Sequence, residues 1–415
     1  MRVMILGAGY NQLYAIEKIQ SMGYQAVASD YNVDSPGKKI ADLCQLASTF
    51  SYEETLAAAK EAKIDALYTS GSDQPVYIAA KVSETLGLYS NLDSQTAHLV
   101  TNKKAMKERF TEAGIPFLKS QLVDESIEEA CLEISFPAVL KPQDSQGQRG
   151  LYLVHSYQEM KNKLRETLKN SRQKQAILES YYPSDEITIS GWVRHKKVKI
   201  ISVCDRLRFS DERRLGICVA HEYPSKHFDA YGDQIRAYTN RIVESFGIEN
   251  GPIYFQMLIG RDGLFVNEIA CRIGGAYEDM YIEKCLGLDI ARLQILEVLN
   301  KASEKEYHRL QAVEFPAKKY LSVELFFARP GTVARVSSKQ SMCALQGVVD
   351  ASIFYQVEDT IVETKRASQR AGFAIICAPD RKSLKENIDQ FYQTVRILDE
   401  SGRNLMLKRG IPHER

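Results

Sequence analysis

The stretch GPIYFQMLIGRDGLFVNEIACRIGG, residues 251–275, constrains the fold more than any other part of the chain. Two apolar runs, 253–259 and 264–269, flank Arg261-Asp262-Gly263. A three-residue connection that ends in glycine is typical of a hairpin, because glycine adopts the left-handed conformation without strain. We therefore predict two antiparallel strands that pair symmetrically about Asp262.

In that register Gln256 faces Glu268, and the two side chains share one face of the sheet. Unpartnered polar groups are costly between buried strands, whereas hard oxygen ligands of this kind suit Mg²⁺ that bridges phosphate oxygens. Just beyond, Arg272 precedes Gly274 and Gly275, so a fixed cation lies beside uncovered backbone. This pattern favours anion binding. The alternative is an ordinary surface hairpin with a polar outer face.

Length and charge exclude several classes of protein. A chain of 415 residues predicts two to four domains, and 44% hydrophobic with 26% charged residues is typical of a soluble globular protein. The net charge of +1 gives no reason to expect nucleic acid or a membrane as partner. The cysteines are scattered, and no apolar run approaches the ~18 residues of a membrane span. The N-terminus begins as a strand and not as a signal peptide, so we expect a reduced, cytoplasmic protein.

The first hundred residues alternate between strands and helices, which predicts a Rossmann-like α/β domain. GAGYNQ at 7–12 approximates the dinucleotide fingerprint GxGxxG, and Asp30 follows about twenty residues later. However, Gln12 replaces the third glycine. Two interpretations stay open. The turn is either a nicotinamide dinucleotide site or part of a Rossmann-like unit that has only a structural role. Residues 70–73 follow a second strand, at the edge where ligands of parallel sheets bind.

Residues 136–154 predict a flexible flap. A strand at 136–140 leads into Lys141, and a glycine-containing loop at 144–150 leads into the next strand. Backbone N–H groups of such a loop can bind phosphates while the lysine supplies a point charge. The spacing is not that of a P-loop. Upstream, Lys103 lies on the basic edge of a predicted helix, which could equally be a solvated face.

The segment AILESYYPSDEITISGWV, residues 176–193, predicts two strands joined by a turn. Glu179 follows the first strand, and Glu186 opens the second. A buried linker of this kind can present backbone groups to an adenine edge, and a carboxylate such as Glu186 can accept hydrogen bonds from both ribose hydroxyls. The alternative is a turn that carries solvated acids.

The order of these motifs resembles the ATP-grasp superfamily, which includes carboxylate–amine (L-amino-acid) ligases, the carbamoyl-phosphate synthetase large subunit and biotin carboxylase. The resemblance covers about residues 1–300, and PGTVARV and RAGFAIICAPD further on resemble the C-terminal domain of amino-acid-ligase-like and biotin-carboxylase-like members. The motifs, in family order, are Lys103 before Gly114, VLKP at 139–142, SQGQRG at 145–150, LESYYPSDE at 178–186 and NEIACRIGG at 267–275.

The resemblance implies an α/β and α+β fold in three domains. These are a Rossmann-like preATP-grasp domain at 1–100, an ATP-grasp domain at 101–302 whose two subdomains grip ATP, and a small C-terminal α+β substrate-side domain at 303–415. It also implies ATP and Mg²⁺ as cofactors. By position it assigns Lys103, Lys141, Ser145, Gly147, Arg149, Gly150, Glu179, Ser180, Tyr181, Tyr182 and Glu186 to the nucleotide, Gln256 and Glu268 to the metal, Arg272 to catalysis, and Gly274 and Gly275 to the substrate.

The chain departs from the family pattern at two positions. Most members have glutamate where this chain has Gln256. The family pattern Glu-x-Asn-x-Arg reads Glu268-Ile-Ala270-Cys-Arg272 here, so that one amide ligand is missing. Whether one or two Mg²⁺ ions bind therefore stays open.

Two function classes follow. The first is an ADP-forming carboxylate–amine ligase that works through an acyl phosphate, with an amino acid or similar small carboxylate and an amine as its small-molecule partners. The second is a nucleotide-binding regulatory module with weak or no turnover, for which Gln256 and Ala270 are the hints. An NAD-dependent enzyme that uses GAGYNQ and Asp30 is a third interpretation. The sequence identifies neither the substrates nor whether the protein forms a homodimer.

Overall fold

The N-terminal region is a parallel sheet with the strand order β3-β2-β1-β4. The structure, a computed structural model, describes residues 1–144, 148–171 and 173–412, with the backbone alone at 411 and 412. From Val3 to Leu6, alternate residues of β1 pack on opposite faces of the sheet. Helices cover both faces, so these four residues are all apolar. The elements are β1 (Arg2–Leu6), α1 (Leu13–Ser21), β2 (Gln25–Ser29), β3 (Leu43–Gln45), α2 (Tyr52–Ala62), β4 (Ala66–Tyr68), α3 (Gln74–Leu86) and α4 (Ser94–Thr101).

An antiparallel sheet follows, with the strand order β5-β8-β6-β7, and we call it the flap sheet. The predicted flap hairpin is observed, because Ala138 pairs with Val154. Ser156 caps the helix behind it by accepting a hydrogen bond from the N–H of Glu159. The elements are α5 (Lys103–Glu112), β5 (Ser120–Val123), β6 (Ala138–Pro142), β7 (Tyr152–Val154), α6 (Tyr157–Lys169) and β8 (Ala176–Ser180).

The central sheet runs in the order β13-β12-β9-β10-β11-β14-β19-β17 and holds much of the core. Alternating apolar residues of β9 and β12, such as Ile189 and Phe255, pack against α7 and its neighbours. The elements up to the C-terminal region are β9 (Ser184–Arg194), β10 (Lys197–Arg208), β11 (Cys218–Tyr223), α7 (Phe228–Phe246), β12 (Asn250–Gly260), β13 (Gly263–Ala270), α8 (Glu278–Leu286), α9 (Ile290–Val298) and α10 (Glu304–Ala312).

The predicted hairpin is present as β12 and β13, but its turn is shorter than expected. Gly263 belongs to the ladder opposite Gly260, so only Arg261 and Asp262 form the turn. The register near this turn is therefore shifted by one residue from the symmetric one. A β-bulge between Gln256 and Met257 restores the predicted register, and Gln256 pairs with Glu268 as expected.

The C-terminal strands continue the central sheet, because β14 pairs with β11. Residues 331–336 form two short strands and not a continuous one, since the N–H of Val333 donates to the carbonyl of Asp359 while that of Ala334 donates to the carbonyl of Leu398. The final helix ends at Thr394, where Val395 becomes extended. The elements are β14 (Tyr320–Ala328), β15 (Gly331–Thr332), β16 (Arg335–Val336), α11 (Lys339–Cys343), β17 (Val348–Ile353), β18 (Thr360–Ile361), β19 (Gly372–Ala378), α12 (Arg381–Thr394), β20 (Ile397–Leu398), β21 (Met406–Lys408) and β22 (Ile411–Pro412).

Within the described ranges, no helix has both the length and the apolar character needed to cross a membrane.

Candidate active site

A cleft lies between the flap sheet and the central sheet, and we call it the inter-sheet cleft. Its apolar wall comes from side chains such as Val139 and Leu258, and its opposite end is strongly charged. Most of the predicted nucleotide and metal residues converge on it although they come from distant parts of the chain. The lining includes Lys103, Lys141, Arg149, Glu179, Ser180, Tyr181, Tyr182, Glu186, Gln256 and Glu268, together with Asp73, Leu118, Arg206, Arg208 and Asn267.

The predicted linker, residues 179–182, joins the two sheets at the end of β8. The N–H groups of Ser180 and Tyr181 already donate to the carbonyls of Lys119 and Pro137. The hydroxyl of Tyr182 donates to the carbonyl of Gly263 over 3.0 Å and accepts from the N–H of Asp262 over 2.9 Å. The linker is thereby fastened to the hairpin turn.

Two lysines neutralise Glu179 at the charged end of the cleft. Lys141 Nζ lies 2.7 Å from Glu179 Oε1, and Lys107 contacts the other carboxylate oxygen. Burial alone would raise the pKa of Glu179, but Lys141 and Lys107 outweigh it and lower the pKa to about 2. Lys107 is a residue that sequence reasoning left on the solvated edge of its helix. Its proximity to Glu179 depends on how α5 packs, which no local pattern encodes.

Glu186 lies in the wall of the cleft and is held by cations. Arg206 contacts it, Arg208 Nη1 is 2.8 Å from Oε1, and Gln256 Nε2 donates to Oε2 over 2.9 Å. Burial lowers the pKa of Arg206, whereas the charge of Glu186 raises it. The net effect is an increase in the pKa. The two arginines were missed from the sequence. Their alternation on β10 is the signal that could have placed them on one face.

Three oxygen-bearing side chains project into the cleft from the hairpin. The bulge leaves Asn267 without a cross-strand partner, and both Asn267 and Glu268 line the cleft. Because Gln256 Nε2 donates to Glu186, its Oε1 is available to a cation. Within the described part of the chain, neither Asn267 nor Glu268 has an ion pair or side-chain hydrogen bond, and three clustered His, Cys, Asp or Glu side chains do not occur. One carboxylate with two amide oxygens still fits Mg²⁺, which accepts such hard ligands.

Strand alternation explains why Asn267 was not predicted. Neighbouring residues of a regular strand point to opposite faces, so Asn267 and Glu268 should not share one. A bulge places two successive residues against one partner and removes this restriction. The sequence carries no glycine at the bulge to reveal it.

Arg272 lines a second cleft, of about 850 Å³, which borders the inter-sheet cleft and which we call the adjoining cleft. Its Nε and Nη2 lie 2.8 and 2.5 Å from Asp73 Oδ1, so its ion-pair partner is neither Glu278 nor Asp279. Asp73, Gln148, Arg149, Arg206, Gln256 and Glu268 line both clefts.

Of the two predicted substrate glycines, Gly275 lines the adjoining cleft and Gly274 does not. A Cβ on Gly274 would lie 2.3 Å from the Glu278 carboxyl carbon, and one on Gly275 would lie 2.9 Å from the carbonyl oxygen of Gly71. Both positions therefore need glycine for close packing, which the sequence interpretation had not included. In the described residues, the N–H of neither glycine has a hydrogen-bond acceptor.

Two predicted phosphate ligands, Ser145 and Gly147, lie outside the described residues. Arg149 lines both clefts. Gly150 has a φ of +68°, and its carbonyl accepts from Thr167 Oγ1 over 3.0 Å, which ties the end of the flap loop to α6.

The N-terminal glycine turn satisfies its own polar groups. Gln12 Oε1 accepts from the N–H of Gly9 over 3.0 Å, and its Nε2 donates to the carbonyl of Ser70 over 2.8 Å. Asp30 accepts from the N–H of Ala8 over 2.9 Å. Because the groups that would bind a dinucleotide are bound to one another, this geometry favours the structural interpretation of GAGYNQ.

Comparison with known proteins agrees with this arrangement. The family model described as the ATP-grasp domain matches residues 108–275, and the model described as L-amino acid ligase C-terminal domain 2 matches residues 324–398. Dapdiamide A synthase of Enterobacter agglomerans is 23% identical over 329 residues, which cover 77% of this chain and 76% of that protein.

Two solved structures are similar in fold. The L-amino acid ligase from Bacillus licheniformis superposes with a TM-score of 0.80 at 15% identity, over 96% of this chain and 98% of that chain. The biotin carboxylase domain of the Hydrogenobacter thermophilus 2-oxoglutarate carboxylase, in complex with MgADP, ADP and bicarbonate, has a TM-score of 0.76 at 18% identity, over 95% and 90%. The resemblance and fold class inferred from motif order are thus confirmed: the chain contains an ATP-grasp domain, followed by an L-amino acid ligase C-terminal domain 2.

Proposed function

We propose that the protein is an ADP-forming ligase that joins a small carboxylic acid, such as an amino acid, to an amine through an acyl phosphate. The observation that carries this proposal is the junction of the two clefts. There Glu268 and Gln256, which line both clefts, present oxygens to the adjoining cleft that Arg272 also lines, and Asn267 lines the inter-sheet cleft next to Glu268. The relatives named as ligases or synthases support the same reaction class.

The inter-sheet cleft suits ATP. Val139 and Leu258 offer apolar surface to a flat base, and Glu186 lies on the central-sheet side for the ribose. Lys141 is the last but one residue of β6, just before the flap loop. Its ammonium group can therefore pair with phosphate oxygens when it is released from Glu179.

Glu268, Gln256 and Asn267 would hold Mg²⁺. When bound there, the ion supplies Lewis-acid stabilisation of the charge on the phosphate oxygens. The Gln256 amide is oriented for this role, because its nitrogen donates a hydrogen bond to Glu186 and its oxygen stays available to the ion.

The reaction balances without a covalent protein nucleophile. A carboxylate oxygen of the first substrate attacks the γ-phosphorus, the bond to the bridging oxygen breaks, and ADP leaves. The amine nitrogen then attacks the acyl carbon, phosphate leaves with the electron pair of the C–O bond, and the amine loses a proton. Arg272 can donate to two phosphoryl oxygens in the first step, where charge spreads over them.

ADP release over all pairwise combinations of the twenty amino acids would test the proposal. We expect ADP release that requires both a carboxylate and an amine. Glu268→Gln should stay folded and lose turnover, whereas Asp262→Asn, at the exposed turn of the same hairpin, should keep it. The regulatory alternative predicts MgATP binding without ADP release from any pair, and Ala270 remains its main support.

We also propose a reducing, cytoplasmic location. The eight cysteines are free thiols, which supports it. A homodimer stays a prediction that light scattering can check.

A further inference from the structure

The adjoining cleft is built from three parts of the chain. The N-terminal turn contributes Tyr10 and Gln12, the segment after the hairpin contributes Arg272 and Gly275, and the C-terminal region contributes Phe354 and Arg370. Tyr10 and Phe354 stack with their ring centroids 3.9 Å apart, and Tyr10 Oη donates to the carbonyl of Phe354 over 3.1 Å. The cleft therefore has an apolar, aromatic boundary beside its charged groups.

The arginines of this cleft differ in how their charges are balanced. Arg272 is paired with Asp73, and Arg206 is paired with Glu186. Arg370 has no ion pair among the described residues. Its Nη1 lies 3.3 Å from the carbonyl oxygen of Gly275, and its Nε lies 3.4 Å from that of Ala367. Its charge also opposes the burial-driven rise in the pKa of Glu278 and of Tyr277, but among the described residues no carboxylate lies within ion-pair distance of it, so the guanidinium can pair with an incoming anion.

The charge of Arg370 acts inside the cleft. His221 lines the same cleft and is 2% exposed, and its Nδ1 has no hydrogen-bond partner among the described residues. Burial lowers the pKa of His221 to about 3, with further contributions from Arg206 and Arg370. The imidazole is therefore neutral at physiological pH and does not compete with Arg370 for an anion.

Arg370 is held away from the junction of the two clefts. Its carbonyl partners, on Gly275 and Ala367, line the adjoining cleft alone, whereas Arg272 is bound to Asp73, which lines both clefts. Arg370 reaches the carbonyl of Gly275, three residues beyond Arg272. A carboxylate bound to Arg370 would therefore lie beyond the junction where a carboxylate has to meet the γ-phosphate.

We propose that Arg370 binds a second, non-reacting carboxylate of a substrate, so that one substrate is an amine bearing a carboxylate or an acid bearing two. This inference rests on the ligase activity proposed above. The aromatic stack beside Arg370 suits an amino acid with an apolar side chain, held by its charged end.

Matched substrate pairs would test the inference and show which substrate carries the group. For each accepted amine, kcat/KM in ADP release is compared between an amino acid and its primary amide. For each accepted acid, a dicarboxylic acid is compared with the monocarboxylic acid of equal length. In one of the two comparisons we expect the extra carboxylate to improve kcat/KM by about 10- to 100-fold, the range of a charge-assisted contact.

Arg370→Gln should abolish that preference by raising KM for the carboxylate-bearing substrate, with KM for ATP and the rate with the uncharged analogue unchanged. Arg370→Lys should keep part of it, and a thermal melt confirms that both variants fold. Arg366→Gln, an exposed arginine of the same segment, is the matched control and should behave like the wild type.

Two results would overturn the inference: a wild type without any carboxylate preference, or a preference that survives in Arg370→Gln. The proposed ligase function fails in a different way, since the wild type would then release no ADP with any pair of substrates.

Discussion

Arg272 is 8% exposed and bound to Asp73, and this setting suits a residue held ready for phosphoryl oxygens. Arg272→Lys should lower kcat by about 10³ and change ATP affinity little, because lysine meets one phosphoryl oxygen where the planar guanidinium meets two. Carboxylate-dependent ADP release and ATP titration calorimetry measure the two effects.

A purely structural Arg272 would give the opposite result. Its loss would then weaken the link to Asp73, and Arg272→Lys would lower the melting temperature while kcat stayed near normal. A thermal melt of the same variant therefore separates the two roles.

Asn267 provides a second test at the scale of single residues. Asn267→Leu should weaken Mn²⁺ binding to the ATP complex on the order of tenfold, because an oxygen ligand is lost. Asn267→Asp keeps an oxygen in place and should bind Mn²⁺ at least as well. Electron paramagnetic resonance of Mn²⁺ reports this without turnover. Unchanged affinity in Asn267→Leu would show that the bulge serves packing alone.

Asp279 should make stability depend on pH. It is 3% exposed, and burial, followed by the nearby Glu278 charge, raises its pKa to about 7. A carboxyl whose pKa is raised on folding contributes stability that is complete below its unfolded pKa, near 3.9, and is lost as the pH rises through about 7.

Asp279→Asn should therefore flatten the decline of melting temperature between about pH 4 and pH 7, since an amide can still accept the Met280 N–H. Asp229→Asn, at an exposed aspartate, serves as control. An unchanged pH profile in Asp279→Asn would mean that the carboxyl ionises at its ordinary pKa.

At the scale of single residues, the sequence predicts a site residue correctly when the family motif and the strand periodicity both point to it. Gln256 and Glu268 face each other as predicted, although the turn and the bulge that set this register were not foreseen. Asn267, Arg206 and Arg370 escaped prediction because a bulge or a tertiary contact decides where they point.

At the scale of elements, β21 is fastened to the central sheet by a buried charge cluster. Glu324 on β14 is fully buried and accepts from Arg409 Nε and Nη2 over 3.1 and 2.6 Å and from Tyr392 Oη over 3.0 Å. Arg409 Nη2 also lies 2.6 Å from Glu222 Oε1. The last described segment is thus tied to two neighbouring strands.

Arg409→Met should lower the free energy of unfolding by about 3 kcal/mol, because it leaves a buried carboxylate without a cationic partner. Urea denaturation measures the change. Arg403→Met removes a mostly exposed ion pair with Asp399 and should cost about 0.5 kcal/mol or less. If the two variants unfold alike, the cluster around Glu324 does not stabilise the fold.

At the scale of the whole molecule, nucleotide binding should stabilise both walls of the inter-sheet cleft together. MgADP at about 100 times its Kd should add about 2.7 kcal/mol to the free energy of unfolding, because only the folded chain contains the site. Differential scanning calorimetry gives the shift in melting temperature. Lys141→Ala should reduce the shift at equal MgADP, and an equal shift would remove Lys141 from the nucleotide site.

The order of the structural regions can be predicted from the order of the motifs, but the contacts between distant parts of the chain cannot. The Arg272–Asp73 pair spans 199 residues and the Arg370–Gly275 contact spans 95. Local periodicity carries no information over such separations. The domain boundaries at residues 100 and 302 stay predictions.

The pairing of β11 with β14 limits how such an enzyme can be recombined. A chimaera joined near residue 302 would transplant β14, β17 and β19 without β11, the strand with which β14 pairs. The incoming piece would have to match the register of a foreign β11 before it could place Arg370 at all. New substrate ranges should therefore arise more readily by changes in the loops that carry Phe354 and Arg370 than by exchange of the whole C-terminal piece.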